Sequence, residues 1–140
     1  MKLAMSEIST VNATFAEDVV AYATAGFDAI GIWEFKLPDD DEANIALLRS
    51  HGLTVANCVP AVPTVLQLGI PGMEGPAAPE MRIEGLCASM RRFAAYDPES
   101  VVCLTGPIGE RTLGEARAIV IDGLAFGVLP EAALQLRSRH

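Results

Sequence analysis

The chain has 140 residues, of which 51% are hydrophobic, and a formal net charge of −8. This length suits one domain with a single core, and the apolar content excludes disorder for most of the chain. The acidic charge repels phosphodiester backbones, which excludes nucleic-acid binding through a basic face. The cysteines (Cys58, Cys87 and Cys103) are widely spaced in apolar sequence and show no C-x-x-C pairing, so we expect buried, reduced thiols in a cytoplasmic protein.

One charge-free stretch, Gly52–Met73, has the length of a membrane span. It contains Pro60, Pro63 and Pro71, and prolines at this density break a lone spanning helix. The N-terminus lacks the apolar segment of a signal peptide. We therefore predict a buried strand and an apolar loop here, and no membrane partner.

The first predicted elements follow each other closely. Leu3–Ile8 has the composition of a strand. A helix follows, which begins at a capping box formed by Thr14 and Glu17 and ends at Gly26. Asp28–Trp33 is a short apolar run and is predicted as a second, buried strand.

The pattern then repeats. Pro38 and the acidic run 39–42 open a second helix, where negative charge favours the N-terminal end, and Gly52 ends it. Leu53–Cys58 is predicted as the third strand. A long loop rich in Pro and Gly, Val59–Ala78, comes next.

The last two units complete a β-α-β-α-β-α-β-α order, which is typical of a parallel sheet covered by helices. The third helix starts near Pro79, Ser100–Leu104 is the fourth strand, and Thr112 and Glu115 form a second capping box. The predicted apolar faces are Ile83, Leu86, Cys87, Met90, Phe93 and Ala94 on the third helix, and Leu113, Ala116, Val120, Gly123 and Leu124 on the fourth.

Three segments resemble one family. Gly31-Ile32-Trp33-Glu34, Gly52-Leu53-Thr54-Val55 and Val101-Val102-Cys103-Leu104-Thr105-Gly106 are similar to bacterial sugar phosphate isomerases/epimerases with the xylose isomerase-like TIM barrel. The resemblance covers residues 1–124 and implies an α/β fold, a partial (β/α)8 barrel of four β–α units. Residues 125–140 diverge from the family. They are predicted as a short C-terminal tail with a helix from Pro130 to Leu136 and no fifth strand.

The resemblance implies metal-assisted proton transfer on a sugar or sugar phosphate, with Mn or Mg held by a Glu-Asp-His-Glu set. In the family these ligands lie on later strands. His51, at a helix end, and His140, at the chain end, do not replace them. We therefore expect this chain alone to bind no metal and to be inactive, either as a truncated or frame-altered gene product or as a natural half-barrel.

Binding groups gather at the carboxyl ends of parallel strands. This rule selects Glu7, Trp33, Glu34, Thr105 and Gly106 as candidate substrate-binding residues, with no catalytic residue assigned. Each has a structural alternative. Glu7 and Glu34 can be surface carboxylates, Trp33 can close the core, and the Thr105-Gly106 strand exit is a weak phosphate-cradling signal.

Two other functional interpretations remain. The chain can be a non-catalytic α/β half-barrel that acts as a binding or assembly module. It can also be a flavodoxin-like open sheet, which is disfavoured because the loop after the first strand lacks a phosphate-cradling cluster. The open edges at strands one and four predict a homo-oligomer or an aggregation-prone protein.

Overall fold

The computed structural model describes residues 1–72 and 74–137. Met73, in the predicted loop 59–78, and residues 138–140, in the predicted tail 125–140, lie outside the described residues. The strands are β1 (Ala4–Ser6), β2 (Ala29–Trp33), β3 (Thr54–Val59) and β4 (Ser100–Val101). The helices are α1 (Phe15–Thr24), α2 (Asp41–Ser50), α3 (Pro79–Phe93), α4 (Leu113–Gly123) and α5 (Leu129–Arg137).

Local capping chemistry starts the helices where the sequence predicts. In both capping boxes the threonine hydroxyl accepts the backbone N–H of the glutamate at 3.3 Å, Thr14 from Glu17 and Thr112 from Glu115. Each glutamate carboxylate in turn accepts the backbone N–H of its threonine, at 2.7 and 2.8 Å. At α2 the carboxylate of Asp40 accepts a first-turn N–H at 3.0 Å. Such caps satisfy backbone donors that a helix leaves unpaired at its N-terminus.

The four strands form one parallel sheet in the order β1-β2-β3-β4. The predicted alternation of strands and helices is therefore confirmed. Among the described residues, β1 and β4 are the edge strands of this sheet.

The two edge strands are shorter than the predicted Leu3–Ile8 and Ser100–Leu104. After β1 the chain forms a 3₁₀ turn, Glu7–Thr10. The carbonyl groups of Glu7 and Thr10 accept hydrogen bonds from the Lys36 ammonium at 3.3 and 2.9 Å. These carbonyl groups therefore pair with a side chain and not with a neighbouring strand. Beyond β4, Leu104 pairs with Thr64 in an isolated bridge.

The chain forms two compact units. The first contains Met1–Val59 and Phe93–Val102, and the second contains the described residues of Pro60–Arg92 and Cys103–His140. The first unit includes the whole sheet with α1 and α2 packed on it. Its core consists of Phe15, Val19, Tyr22, Ile30, Ile32, Leu37, Leu48, Leu53, Val55, Cys58, Phe93 and Tyr96.

The second unit has its own core around Val65, Leu86 and Val128. A π-helical turn, Leu124–Val128, connects α4 directly to α5, so the predicted tail helix is present and no strand follows β4 in the described part of the chain. Leu113 is predicted to face inward but is 63% exposed, because it lies in the first turn of α4, ahead of the buried positions of that helix.

Other composition-based predictions concern the apolar loop and the thiols. No helix in residues 1–72 or 74–137 is long and apolar enough to cross a membrane. The stretch beginning at Gly52 forms β3 and an irregular loop, as predicted. All cysteines are free thiols; Cys58 and Cys87 are buried, and Cys103 is partly buried.

Candidate substrate-binding site

The two faces of the sheet differ in character. Ile30 and Ile32 of β2 are fully buried in the core against the helices. Because successive strand residues point to opposite faces, Gly31 and Trp33 lie on the other face. Trp33 is half-buried.

A polar row crosses this second face. Ser6, Gly31, Asn57 and Ser100 are register partners on β1, β2, β3 and β4 in turn, so they lie side by side on one face. Gly31 keeps the row open, because a Cβ there would lie 3.0 Å from Asn57 Oδ1 and 3.4 Å from Ser6 Cα. We refer to these residues as the polar row.

Trp33 stands at the carboxyl end of β2, beside the polar row. Its indole Nε1–H donates to Ser6 Oγ at 3.0 Å. Its ring meets the ring of Phe35 edge to face, with centroids 5.9 Å apart. Glu34 is half-buried and opens the 3₁₀ turn Glu34–Lys36 that follows β2. Trp33 and Glu34 are thus brought together with polar groups at one end of the sheet, as the strand-end rule predicts.

Glu7 differs from the expectation of a surface carboxylate. Its side chain is 0% exposed, and its Oε2 accepts the backbone N–H of Trp33 at 2.8 Å. The structural alternative for Glu7 was therefore wrong, because the 3₁₀ turn after β1 directs this side chain under the end of β2. Direct contact between Glu7 and a substrate stays a prediction.

Lys36 and Asp18 were not singled out from the sequence. The side chain of Lys36 is 4% exposed and that of Asp18 is 1% exposed, and the two form a short, buried ion pair. The Lys36 ammonium also lies 3.9 Å from Glu7 Oε1. One signal was available. Asp18 lies three residues after Phe15 and four before Tyr22, on the apolar face of α1, where an unpaired carboxylate would be costly.

The electrostatics of this cluster favour a protonated Glu7. Burial raises the pKa of the Glu7 carboxyl from 4.5 to about 7, and neighbouring Asp18 adds to the rise. The Trp33 N–H and the Lys36 ammonium act in the opposite direction but do not cancel the effect of burial on this pKa. Burial also raises the pKa of the Cys58 thiol to about 12, which agrees with a core thiol and not a nucleophile.

Thr105 and Gly106 belong to the second unit. Gly106 has φ +83°, and a Cβ there would lie 2.4 Å from the carbonyl oxygen of Leu66, so only glycine fits. The Leu66 N–H donates to the Thr105 carbonyl at 2.8 Å, which fixes the close approach. Phosphate binding by this strand exit stays a prediction. The two residues line an open groove of about 300 Å³ together with Leu66, Ile108, Leu113, Ala116, Arg117, Val120 and Ile121.

The described residues do not fit a bound divalent metal. Within residues 1–72 and 74–137, no three His, Cys, Asp or Glu side chains are grouped so that they could hold an ion. The buried carboxylates Glu7 and Asp18 already face a cation, the ammonium of Lys36. His51 caps the C-terminal end of α2, where its Nδ1 lies 3.0 Å from the Leu47 carbonyl. These side chains therefore support no mechanistic step through a metal.

Comparison with protein-family models and with curated proteins finds no match. Solved structures do match. A protein of Sinorhizobium meliloti 1021 has a TM-score of 0.72 at 20% identity, over 95% of this chain and 47% of its own. An AP endonuclease of family 2 from Brucella melitensis has a TM-score of 0.70 at 18% identity, over 96% of this chain and 53% of its own. A D-psicose 3-epimerase, solved in the presence of D-fructose, has a TM-score of 0.63 at 14% identity, over 89% and 46%.

These neighbours decide the fold. The neighbours are xylose isomerase-like TIM-barrel proteins, and the chain shares their α/β fold over four parallel β–α units. The predicted half-barrel is confirmed. At identities of 14–20% the likeness concerns the fold alone, and the chain spans about half the length of the solved structures it matches.

Proposed function

We propose that this chain binds a small sugar or sugar phosphate at the carboxyl end of β1 and β2, as part of an isomerase or epimerase. The observation that carries the proposal is the polar row with Trp33 beside it. A sugar ring offers apolar C–H faces and a rim of hydroxyl groups. An aromatic ring beside hydroxyl and amide groups provides a partner for each.

The proposed roles follow from position. Trp33 packs against the apolar face of the sugar, and Glu34 accepts a hydrogen bond from a sugar hydroxyl group. Glu7 is buried and contacts the backbone of Trp33, so it supports the site from behind. In the second unit, Thr105 and Gly106 are proposed as a separate contact for a phosphate or hydroxyl group, beside Arg117 in the same groove.

The proposed reaction class is proton transfer at the carbon next to a carbonyl group. The name of one neighbour, D-psicose 3-epimerase, supports a sugar substrate, although the likeness is one of fold. The AP endonuclease neighbour gives less support to a DNA substrate, because a chain of net charge −8 repels the phosphate backbone. Since residues 1–72 and 74–137 gather no metal ligands, we propose that these residues alone do not supply the ligand set of a metal centre.

The alternative is a binding or assembly module with no reaction of its own. The same site would then bind the sugar without turnover. Thermal unfolding with and without millimolar Mn²⁺ tests whether this chain contains a complete metal centre. Neither the enzyme proposal nor the binding-module alternative requires one in this chain. We expect no change in Tm, and a rise of several degrees would show that this chain holds the ion by itself.

Fluorescence titration tests the proposed site, because Trp33 is the single tryptophan of the chain. We expect D-fructose and D-fructose 6-phosphate to change the emission of Trp33 saturably at millimolar concentration, and glycerol not to do so. Glu34→Gln should weaken binding about fivefold, as expected for one hydrogen bond worth about 1 kcal/mol.

The matched control is Glu42→Gln, which changes an exposed glutamate on α2 in the same unit. Its affinity for the sugars should equal that of the unmodified chain. If neither sugar changes the emission saturably, the proposed site is wrong. An equal loss of affinity in both variants would remove Glu34 from it.

A further inference from the structure

Three ionisable side chains are buried together beneath the end of β2. The side chains of Glu7, Asp18 and Lys36 are 0%, 1% and 4% exposed. They come from the turn after β1, from α1, and from the turn after β2. Burial of charged groups is costly unless each is paired and hydrogen-bonded, so the pairing within this group decides its properties.

One carboxylate oxygen of Glu7 is left without a hydrogen-bond partner by the other groups of this cluster. An ammonium group has three N–H donors, and those of Lys36 face the Asp18 carboxylate and the carbonyl groups of Thr10 and Glu7. Glu7 Oε2 accepts the Trp33 N–H. Glu7 Oε1 is buried at 3.9 Å from the ammonium and has no hydrogen-bond partner among the described residues.

The balance of charges in this cluster favours a proton on Glu7. Two ionised carboxylates around one ammonium leave an excess negative charge in a buried place. A proton on Glu7 removes that excess, leaves Lys36 and Asp18 as a neutral pair, and gives Oε1 a hydrogen to donate towards Asp18. Burial, with Asp18 acting in the same direction, raises the pKa of Glu7 to about 7.

The other titratable groups around Glu7 do not supply a compensating charge. Tyr22 of α1 has a pKa raised by burial, and the pKa of Cys58 of β3 is raised to about 12, so both stay neutral near pH 7. Glu34, after β2, adds negative charge near Cys58. Lys36 is therefore the cation that balances this group among the described residues.

We propose that Glu7 is a positioning residue whose gain and loss of a proton sets the position of Trp33 at the end of β2. The link is the hydrogen bond from the Trp33 N–H to Glu7 Oε2, together with the indole N–H bond to Ser6 on the adjacent strand. Ionised Glu7 accepts the N–H bond more strongly but has an unpaired oxygen, whereas protonated Glu7 turns Oε1 towards Asp18.

The proposal makes the end of β2 respond to pH near neutrality. It gains functional meaning if Trp33 contacts a sugar, and in that respect it rests on the proposed function. The shift of Trp33 itself requires no ligand. The two ideas can therefore fail separately, one in a sugar titration and the other in a pH titration of the chain alone.

The test uses the emission of Trp33 between about pH 5 and about pH 9. We expect one transition with its midpoint near 7. Glu7→Gln keeps an acceptor for the Trp33 N–H and adds an N–H donor beside Asp18, so it should fold and lose the transition. Glu34→Gln, the neighbour of Trp33 in sequence, should keep it. A flat wild-type profile, or a transition that persists in Glu7→Gln, would overturn the proposal.

A second variant should shift the midpoint of the pH transition and not abolish the transition. Asp18→Asn removes the neighbouring negative charge, so Glu7 should hold its charge more easily against Lys36. The midpoint should then fall by about one pH unit or more. A purely structural role of Asp18 would destabilise the chain without moving the midpoint.

Carboxyl ¹³C NMR of the unmodified chain gives a measurement that needs no variant. One glutamate should titrate near pH 7, well above the ordinary pKa of a glutamate carboxyl, and Glu7→Gln assigns it. If all glutamates of the unmodified chain titrate in the ordinary acidic range, Glu7 has no elevated proton affinity and the proposal fails.

Discussion

The buried Glu7 carboxyl should make the stability of the chain depend on pH in an unusual direction. The pKa of Glu7 is raised from 4.5 to about 7 in the folded chain. Between these values the folded state binds more protons than the unfolded state. The contribution of Glu7 is therefore fully present below about pH 4.5, and it is lost as pH rises towards 7. Carboxylates that cap helices, such as Glu17, have a lowered pKa and act in the opposite direction.

The size of the effect follows from the shift. Each pKa unit corresponds to about 1.4 kcal/mol, so the change from 4.5 to about 7 corresponds to about 3 kcal/mol of unfolding free energy. Glu7→Gln has nearly the same shape, does not titrate, and keeps the acceptor for Trp33. The difference in unfolding free energy between the two proteins should therefore move by about 2.5 kcal/mol in favour of the variant from about pH 5 to about pH 8, because part of the contribution is already lost at pH 5.

Urea denaturation of both proteins at the two pH values measures this change. Taking the difference between proteins removes the contribution of the capping glutamates, because both proteins contain them. Glu42→Gln, on the exposed side of α2, serves as the control and should show the same difference at both pH values. If the Glu7→Gln difference also stays constant with pH, the buried carboxyl does not hold a proton and the reasoning is refuted.

The remaining predictions concern the second unit and the sheet edges. Arg82 is 0% exposed and donates to backbone carbonyls of the long loop, so Arg82→Met should cost about 3 kcal/mol and speed proteolysis of that loop. Arg91→Met breaks the ion pairs of a half-exposed arginine with Glu84 and Glu131 and should cost clearly less; equal costs would contradict this difference. Gly106→Ala should be clearly more destabilising than Gly109→Ala in thermal unfolding. Both glycines have positive φ, but only at Gly106 would an added Cβ lie 2.4 Å from a backbone carbonyl oxygen, that of Leu66. Similar Tm values for the two variants would refute the clash. The open edges at β1 and β4 lead us to expect a dimer or larger species in light scattering, and a concentration-independent monomer would contradict it.

The sequence was sufficient where structure depends on neighbouring residues. The threonine–glutamate caps at Thr14 and Thr112 and the buried strand ending at Trp33 are local patterns, and each appears in the structure. The sequential parallel order also followed, because each short strand is separated from the next by a helix. Strand ends were less predictable. β1 ends at Ser6 because the carbonyl groups of the following turn accept hydrogen bonds from Lys36, which is distant in sequence.

The site was only partly predictable for the same reason. The strand-end rule placed Trp33 and Glu34, but it gave no information on burial, and the surface alternative for Glu7 was wrong. Lys36 meets Asp18 across 18 residues and Glu7 across 29, and only the folded chain brings them together. The polar row depends on register between strands, which the composition of Ser6 or Asn57 does not reveal.

The central claim is that a sugar binds at the end of β2, beside the polar row. Trp33 is the single tryptophan, so a ¹H–¹⁵N NMR spectrum should contain one indole N–H signal, which is the group that donates to Ser6 Oγ. We expect D-fructose or D-fructose 6-phosphate to shift this signal saturably, together with the backbone signals of Gly31 and Asn57. Shifts confined to other parts of the chain, or none at millimolar sugar, would contradict the account.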